Sequence, residues 1–429
     1  MVELMQHQRD ALERTAAYNK CAFYHDMGLG KTFTGAEKMM MLGAAVNIVV
    51  CQKSKIDDWL DHFKKYYPKY KVLDLTKPKQ LAAFINDDFY YMVGVINYDL
   101  IYRRPELLKI KAFTLMLDES SIIQNDTIKR TKFIMKMQYE NLILLSGTPT
   151  AGRYEHLYSQ LKMLGYEIRK NAFFEMYCVY HVESFGGWGG SRPIIKKVVD
   201  GYKNVDHLKR KMRRLGCDFL KTSEVMDLPQ QQFIPVRVPV SSDYKTFCKK
   251  KIIEVDNRRL IGENVLIDFL ILRQLAGAYS KEKLQAFEDL INSTDNGMVV
   301  FYNFEIELQK LKSIAIAADK PISIINGSVK DLTAYNNTDN AVVFIQYQAG
   351  AMGLNLQKYN HIIYFTPPVR SELYEQSKKR IHRIGQNQTC FYYNLICDNS
   401  IERNIYNTLA MRKDYTDELF KQNYLTFFV

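Results

Sequence analysis

Short, unbroken apolar runs rich in Val, Ile, Phe and Tyr constrain this chain more than any other feature. Five lie in the first half, at residues 21–24, 47–51, 92–96, 114–117 and 142–145. Five more lie in the second half, at 298–302, 322–325, 341–345, 361–365 and 390–396. A run without polar alternation suits a strand buried on both faces. Longer helical-looking stretches separate the runs, and strand alternating with helix makes a parallel sheet flanked by helices. Two such sets in 429 residues predict an α/β protein of two lobes, each large enough for its own core.

Between the sets the pattern breaks. Phe185-Gly186-Gly187-Trp188-Gly189-Gly190 reads as a loop tip, and Leu228-Pro229 as punctuation. The expected organisation is a first lobe at 1–160, a helical insertion and connection at 161–235, and a second lobe at 236–429. Lys209-Arg210-Lys211-Met212-Arg213-Arg214 reads as a basic helix face, open to either solvent or phosphate. No solenoid repeat or low-complexity tract interrupts the pattern.

The formal net charge of +12 favours polyanions, because bound Lys and Arg release counterions from phosphates. With 47% hydrophobic and 25% charged residues, the composition is that of a folded chain and not of a disordered or fibrous one. The seven cysteines include no CxxC pair, so they read as reduced thiols and not as a disulfide framework or zinc site. The N-terminus lacks a basic start followed by an apolar run, and no stretch is long enough to span a bilayer. A cytoplasmic protein with no membrane partner is therefore expected.

The chemistry concentrates at the ends of the apolar runs. Met27-Gly28-Leu29-Gly30-Lys31-Thr32 sits between a strand-like run and a helix-like one. Glycines there let backbone N–H groups close around phosphate oxygens, and the helix start adds a positive dipole end. Lys31 would reach the β- and γ-phosphates and the Thr32 hydroxyl would ligate Mg²⁺. The generic pattern wants Gly where this chain has His25, so the match is partial. Thr114-Leu115-Met116-Leu117-Asp118-Glu119 ends a strand in two carboxylates, with Asp118 suited to Mg²⁺ and Glu119 to polarising water. Leu144-Leu145-Ser146-Gly147-Thr148-Pro149 closes another strand with small hydroxyl residues. In the second half, Gln376, Arg380 and Arg383 would share one face of a helix. Aimed at a nucleotide held by the other lobe, that face would act as an arginine finger, a device that contributes about 10³–10⁵ in rate.

Taken in order, these pieces resemble the SWI/SNF-type ATPases of helicase superfamily two, over nearly the whole chain, in a compact bacterial or viral form. Leu4-Met5-Gln6-His7-Gln8 resembles the family's opening Gln motif, which implies that Gln8 reads adenine. Asp26 to Thr32 is similar to its Asp-Glu-Met-Gly-Leu-Gly-Lys-Thr loop, and Gln348 to Leu356 is similar to its Gln-Ala-Gly-Gly-x-Gly-Leu-Asn-Leu stretch, which brings Gly353 to the nucleotide. Arg380-Ile381-His382-Arg383-Ile384-Gly385-Gln386 resembles its Arg-Ala-His-Arg-Ile-Gly-Gln string, the most specific of the set. The stretch Val49 to Ser54 with Trp59, and Ile96-Asn97-Tyr98, resemble nucleic-acid-facing motifs, which implies contacts from Lys53, Ser54, Asn97 and Tyr98.

The chain also departs from the pattern. Ser121 replaces the usual His of the acidic box, Ala351 replaces a Gly, and Val369-Arg370 replaces Trp-Asn. The first departure puts in doubt the coupling between the acidic box and Ser146-Gly147-Thr148.

The resemblance implies two RecA-like lobes and ATP hydrolysis with Mg²⁺, driving translocation along duplex DNA to remodel DNA or a DNA-bound protein. RNA as the track stays open, and a monomer suffices. Two alternatives stand beside it: a strand-separating or branch-remodelling helicase, and a non-hydrolysing nucleic-acid-binding scaffold.

Overall fold

The computed structural model describes residues 3–86, 91–150, 152–185, 194–349 and 354–420. The chain divides into two compact units, Met1–Val225 and Met226–Lys413.

The first unit opens with helix α1 (Gln6–Arg14) and then alternates strand with helix. Its strands are β1 (Lys20–His25), β2 (Val46–Cys51), β3 (Lys71–Asp74), β4 (Met92–Asn97), β5 (Thr114–Asp118) and β6 (Asn141–Leu145). An antiparallel hairpin of β7 (Cys178–Phe185) and β8 (Ile194–Tyr202) follows, then β9 (Cys217–Leu220). Seven strands form one parallel sheet in the order β3-β4-β2-β5-β6-β1-β9. Helices α2 (Lys31–Leu42) and α3 (Ile56–Tyr66) are among those packed on it.

Burial on both faces explains the unbroken apolar runs. Successive side chains of a strand point to opposite faces. On β1, Ala22 and Tyr24 enter one core while Cys21 and Phe23 enter the other. On β5, Leu115 and Leu117 pair with the first core and Met116 with the second.

The second unit contains β10 (Gln231–Val238), a small antiparallel pair β11 (Ile252–Val255) and β12 (Arg258–Ile261), then β13 (Met298–Tyr302), β14 (Ile322–Ile325), β15 (Lys330–Asp331), β16 (Val342–Gln346), β17 (His361–Tyr364) and β18 (Cys390–Cys397). Its seven-stranded sheet runs β10-β18-β17-β13-β16-β14-β15 and is parallel except for β15. Val299 and Phe301 of β13 face one core, and Val300 and Tyr302 the other. The fold is thus α/β with two RecA-like lobes, each a mostly parallel sheet flanked by helices.

The stretch 161–235 differs from the helical insertion expected. It carries the β7–β8 hairpin beside the helix Val205–Arg214, and its strand β9 joins the first sheet beside β1. Strand β10 starts the second sheet within the same stretch. Strand β9 is only four residues long and carries Asp218, and β10 is a mostly exposed edge strand, so neither gives a strong apolar signal. Pro235, which cannot donate to a ladder, is tolerated in β10 because that strand is an edge.

Candidate active site

Strands β5, β6 and β1 are neighbours in the first sheet, so the segments that leave their carboxyl ends lie side by side. Ligands of open parallel sheets gather at this edge.

After β1 the chain turns through Asp26 to Gly30 into α2. Gly28 (φ 92°) and Gly30 (φ 69°) sit in the left-handed region, where a side chain is strained. A Cβ on Gly30 would also lie 2.4 Å from Gln8 Nε2. Gln8 is buried, and its amide donates to the carbonyls of Leu29 and Gly30 (3.3 Å each) while its Oε1 accepts from Met5 N (2.9 Å). His7 Nε2 donates to Leu29 O at 3.0 Å. Helix α1 therefore braces the loop, and Gln8 touches loop backbone. Lys31 and Thr32 are the first two residues of α2. The Lys31 ammonium folds back to donate to the carbonyls of His25 (2.8 Å) and Asp26 (3.1 Å).

His25, the residue that departs from the generic loop, is fully buried, and its Nε2 lies 2.8 Å from Asp218 Oδ2 on β9. Burial pushes its pKa down although Asp218 opposes the shift, so the ring is neutral, with its proton on the nitrogen that meets the carboxylate. Arg14 clamps the same carboxylate from the other side through two hydrogen bonds (2.6 and 2.9 Å). The next residue, Asp26, accepts from both the N–H and the hydroxyl of Thr222 at 3.1 Å.

Asp118 and Glu119 end β5. The Asp118 carboxylate accepts from Trp59 Nε1 at 2.8 Å, and its carbonyl accepts from the Tyr98 hydroxyl at 2.9 Å. Burial pushes the Asp118 carboxyl up, opposed by the Trp59 hydrogen bond and the charges of Lys31 and Lys55. Glu119 adopts φ 58°, ψ 57°, rare for a residue with a side chain. Its carboxylate accepts from Ser146 Oγ at 3.0 Å and from Ser121 Oγ at 3.3 Å. The coupling that Ser121 put in doubt is thus carried by Glu119 itself, which is bonded to the Ser146-Gly147-Thr148 turn. Gly147 closes the group: a Cβ there would meet Met27 Cγ at 3.1 Å and Lys31 Nζ at 3.4 Å.

Two positioning residues were not foreseen in these roles. Trp59 stood with the nucleic-acid-facing residues, yet it is buried and holds Asp118. Gln160, on the helix Tyr158–Met163, has no exposure. Its Oε1 accepts from Tyr24 (3.0 Å) and Ser120 (2.8 Å), and its amide donates to Pro149 O (2.9 Å). It ties β1 to the segments that leave β5 and β6. A Gln inside an otherwise apolar helix face was the available signal.

The remaining expected contacts are placed as follows. Lys53 and Ser54 are exposed on the short turn Lys53–Lys55. Asn97 and Tyr98, expected to face nucleic acid, are instead buried, because β4 is covered on both faces and the Tyr98 hydroxyl is used by Asp118. In the second unit, the shared helix face of Gln376, Arg380 and Arg383 does not form. The helix Ser371–Lys378 ends before Arg380. The turn that follows is held instead by Leu356 N donating to Arg380 O and by Gln386, whose amide donates to the carbonyls of Gln357, Tyr359 and Ile381. Gln376 and Arg380 are buried, and Arg383 donates to Asn355 Oδ1. Gly353 and Ala351 lie outside the described residues.

Asp118 and Thr32 offer the hard oxygen donors that Mg²⁺ takes. Among the described residues no group of three or more His, Cys, Asp or Glu side chains is arranged to hold a metal ion.

Two RecA-like sheets, with a glycine loop, an acid pair and a Ser-Gly-Thr turn at one sheet edge, define a protein of the helicase-like class. The SNF2-related domain model matches residues 7–278 and the helicase conserved C-terminal domain model matches residues 282–385. The chain belongs to the SNF2-related family.

Among its relatives is the mouse SWI/SNF-related matrix-associated actin-dependent regulator of chromatin subfamily A member 1, 23% identical over 89% of this chain and 39% of that protein. The chain spans about four-tenths of the length of the first such relatives, at 39%, 40% and 38%. The "Probable global transactivator" of Orgyia pseudotsugata multicapsid polyhedrosis virus is 22% identical over 99% of this chain and 93% of its own length. A solved structure, "Sulfolobus solfataricus SWI2/SNF2 ATPase core in complex with dsDNA", aligns over 97% of this chain and 92% of its own, with 16% identity and a TM-score of 0.45.

Proposed function

We propose that the chain is a DNA-dependent ATPase that uses hydrolysis to move along duplex DNA and so remodels DNA or a protein bound to it. One observation supports this most: Lys31, Asp118, Glu119 and Ser146 converge from three adjacent strand ends. In this reading the loop Met27 to Lys31 holds the phosphates of ATP, and Gln8 acts on the nucleotide through the loop it braces. Thr32 and Asp118 hold Mg²⁺, whose chemistry is to neutralise phosphate charge. Glu119 orients the attacking water. Gln376, Gly353, Arg380 and Arg383 of the second lobe are assigned to the nucleotide as well, the two arginines acting on it when nucleic acid is bound. Lys53 and Ser54 contact the nucleic-acid backbone, and Tyr98, next to the buried Asn97, acts from behind it, through Asp118.

The test is ATP turnover by the full chain against a panel of duplex, single-stranded and forked DNA and of RNA. A strong rise with duplex DNA is expected. Turnover that is identical with and without every nucleic acid would falsify the motor reading. Release of a labelled strand from the fork would replace translocation by strand separation.

A further inference from the structure

We propose that the segment Cys217–Thr222, the last ordered strand and turn before the chain passes into the second unit, positions the phosphate loop and couples the connector to ATP affinity. The inference rests on the nucleotide-site reading above and extends it to a second element of the chain.

Three contacts spaced two residues apart fasten this segment to the loop. Asp218 holds the His25 ring (2.8 Å), Leu220 O accepts from Asp26 N (2.9 Å), and Thr222 donates twice to the Asp26 carboxylate (3.1 Å each). The spacing follows from strand geometry: β9 runs parallel to β1 with His25 opposite Leu220, so alternate residues of β9 face the same side. The unit boundary lies at Val225, three residues beyond Thr222.

The two residues held are also the two whose carbonyls receive the Lys31 ammonium. The resting place of the phosphate-binding lysine is thus set by carbonyls that Asp218 and Thr222 fix in space. Neither holder is loosely placed. Thr222 and Asp218 are 6% and 8% exposed, and Arg14 pins the Asp218 carboxylate from α1, the helix that also braces the loop through Gln8. A pull on the connector is transmitted to Asp26 before it reaches any other part of the site. Asp26 and His25 are positioning residues here, with Thr222 and Asp218 behind them.

The coupling is reciprocal: if the state of the connector changes ATP affinity, ATP changes the state of the connector by the same factor. If DNA bound by the full chain alters the connector, DNA alters ATP affinity by this route.

The experiment measures the dissociation constant of a fluorescent ATP analogue, together with KM and kcat, on the full chain with and without saturating duplex DNA. The variants are Thr222→Val, which keeps shape and loses the hydroxyl, Thr222→Ser, which restores it, and Asp218→Asn. Thr222→Val and Asp218→Asn are expected to weaken binding about tenfold, the scale of one charge-assisted hydrogen bond. They should also bring the ratio of affinities with and without DNA towards one, with kcat at saturating ATP within about twofold of wild type. Thr222→Ser should recover both affinity and ratio.

A purely structural contact would lower the melting temperature and leave the ratio alone. That outcome overturns the inference while the nucleotide site stands. A wild-type chain that binds the analogue no better than Lys31→Ala overturns the site reading, and this inference with it.

Discussion

Glu119 pays for its direction with its backbone. A left-handed conformation in a residue with a side chain costs on the order of 1 kcal/mol, and such strain persists where the surroundings hold it in place. Here Ser146 and Ser121 hold the carboxylate. If that carboxylate orients water, Glu119→Gln should cut DNA-stimulated turnover by about 10²-fold or more, the range of general-base removal. ATP binding should stay within about threefold, because amide and carboxylate share shape and the phosphates are held elsewhere. Lys31→Ala should instead lose binding, measured by the same fluorescence titration. The acid pair was legible in the sequence because a buried strand ends on it. The groups around the pair were not, since Trp59 lies 59 residues from Asp118 and Gln160 lies 40 residues from Ser120 in the chain. The partner of His25 is remoter still, at 193 residues, so the sequence exposed the departure at His25 without its reason.

At the scale of elements, α3 shows how a helix can carry function on its buried side. Trp59 points to Asp118, and His62, one turn on, packs among Phe33, Trp59, Phe63, Tyr66 and Tyr67. Burial lowers the His62 pKa from 6.5 to about 4, and its Nε2 lacks a hydrogen-bond partner. A histidine with a depressed folded pKa supports the fold above its ordinary pKa and loses that support as pH falls towards the folded value. Between pH 7 and pH 5 the loss from this group is about 2 kcal/mol. His62→Phe should remove most of that loss, read as a smaller shift in the denaturant midpoint between the two pH values. An unchanged pH dependence would take His62 out of the acid response.

The apolar runs announced the central strands of both sheets. Short strands that carry charged residues, β3 and β9, and the mostly exposed β10 escaped notice. The helical spacing of Gln376, Arg380 and Arg383 misled because spacing cannot register that Gln386 and Leu356 would capture the following turn.

For the molecule as a whole, two sheets of near-equal size were predicted from two sets of runs, and the two large sheets found among the described residues have seven strands each. The boundary was less legible: the first unit recruits β9 from beyond a hairpin, and nothing in a four-residue strand marks which sheet it will join. The division sets a prediction for the second lobe. If Arg383 completes the site only in the nucleic-acid-bound state, Arg383→Ala should bind ATP within about threefold of wild type and lose about 10³-fold or more of the DNA-stimulated turnover. Equal loss of binding in Arg383→Ala and Lys31→Ala would remove the finger assignment.

The folded-back Lys31 has a consequence for what the loop will accept. Its ammonium already has carbonyl partners at 2.8 and 3.1 Å, so an incoming molecule must outcompete them to be welcomed. A polyphosphate tail, densely anionic, can draw the lysine away and replace two neutral acceptors with charged ones. Adenosine or AMP offers little or nothing at that position and leaves the lysine where it rests. If Lys31 takes phosphate as proposed, discrimination by tail length would rest on an exchange of partners, and monophosphates and free nucleosides would be poor competitors.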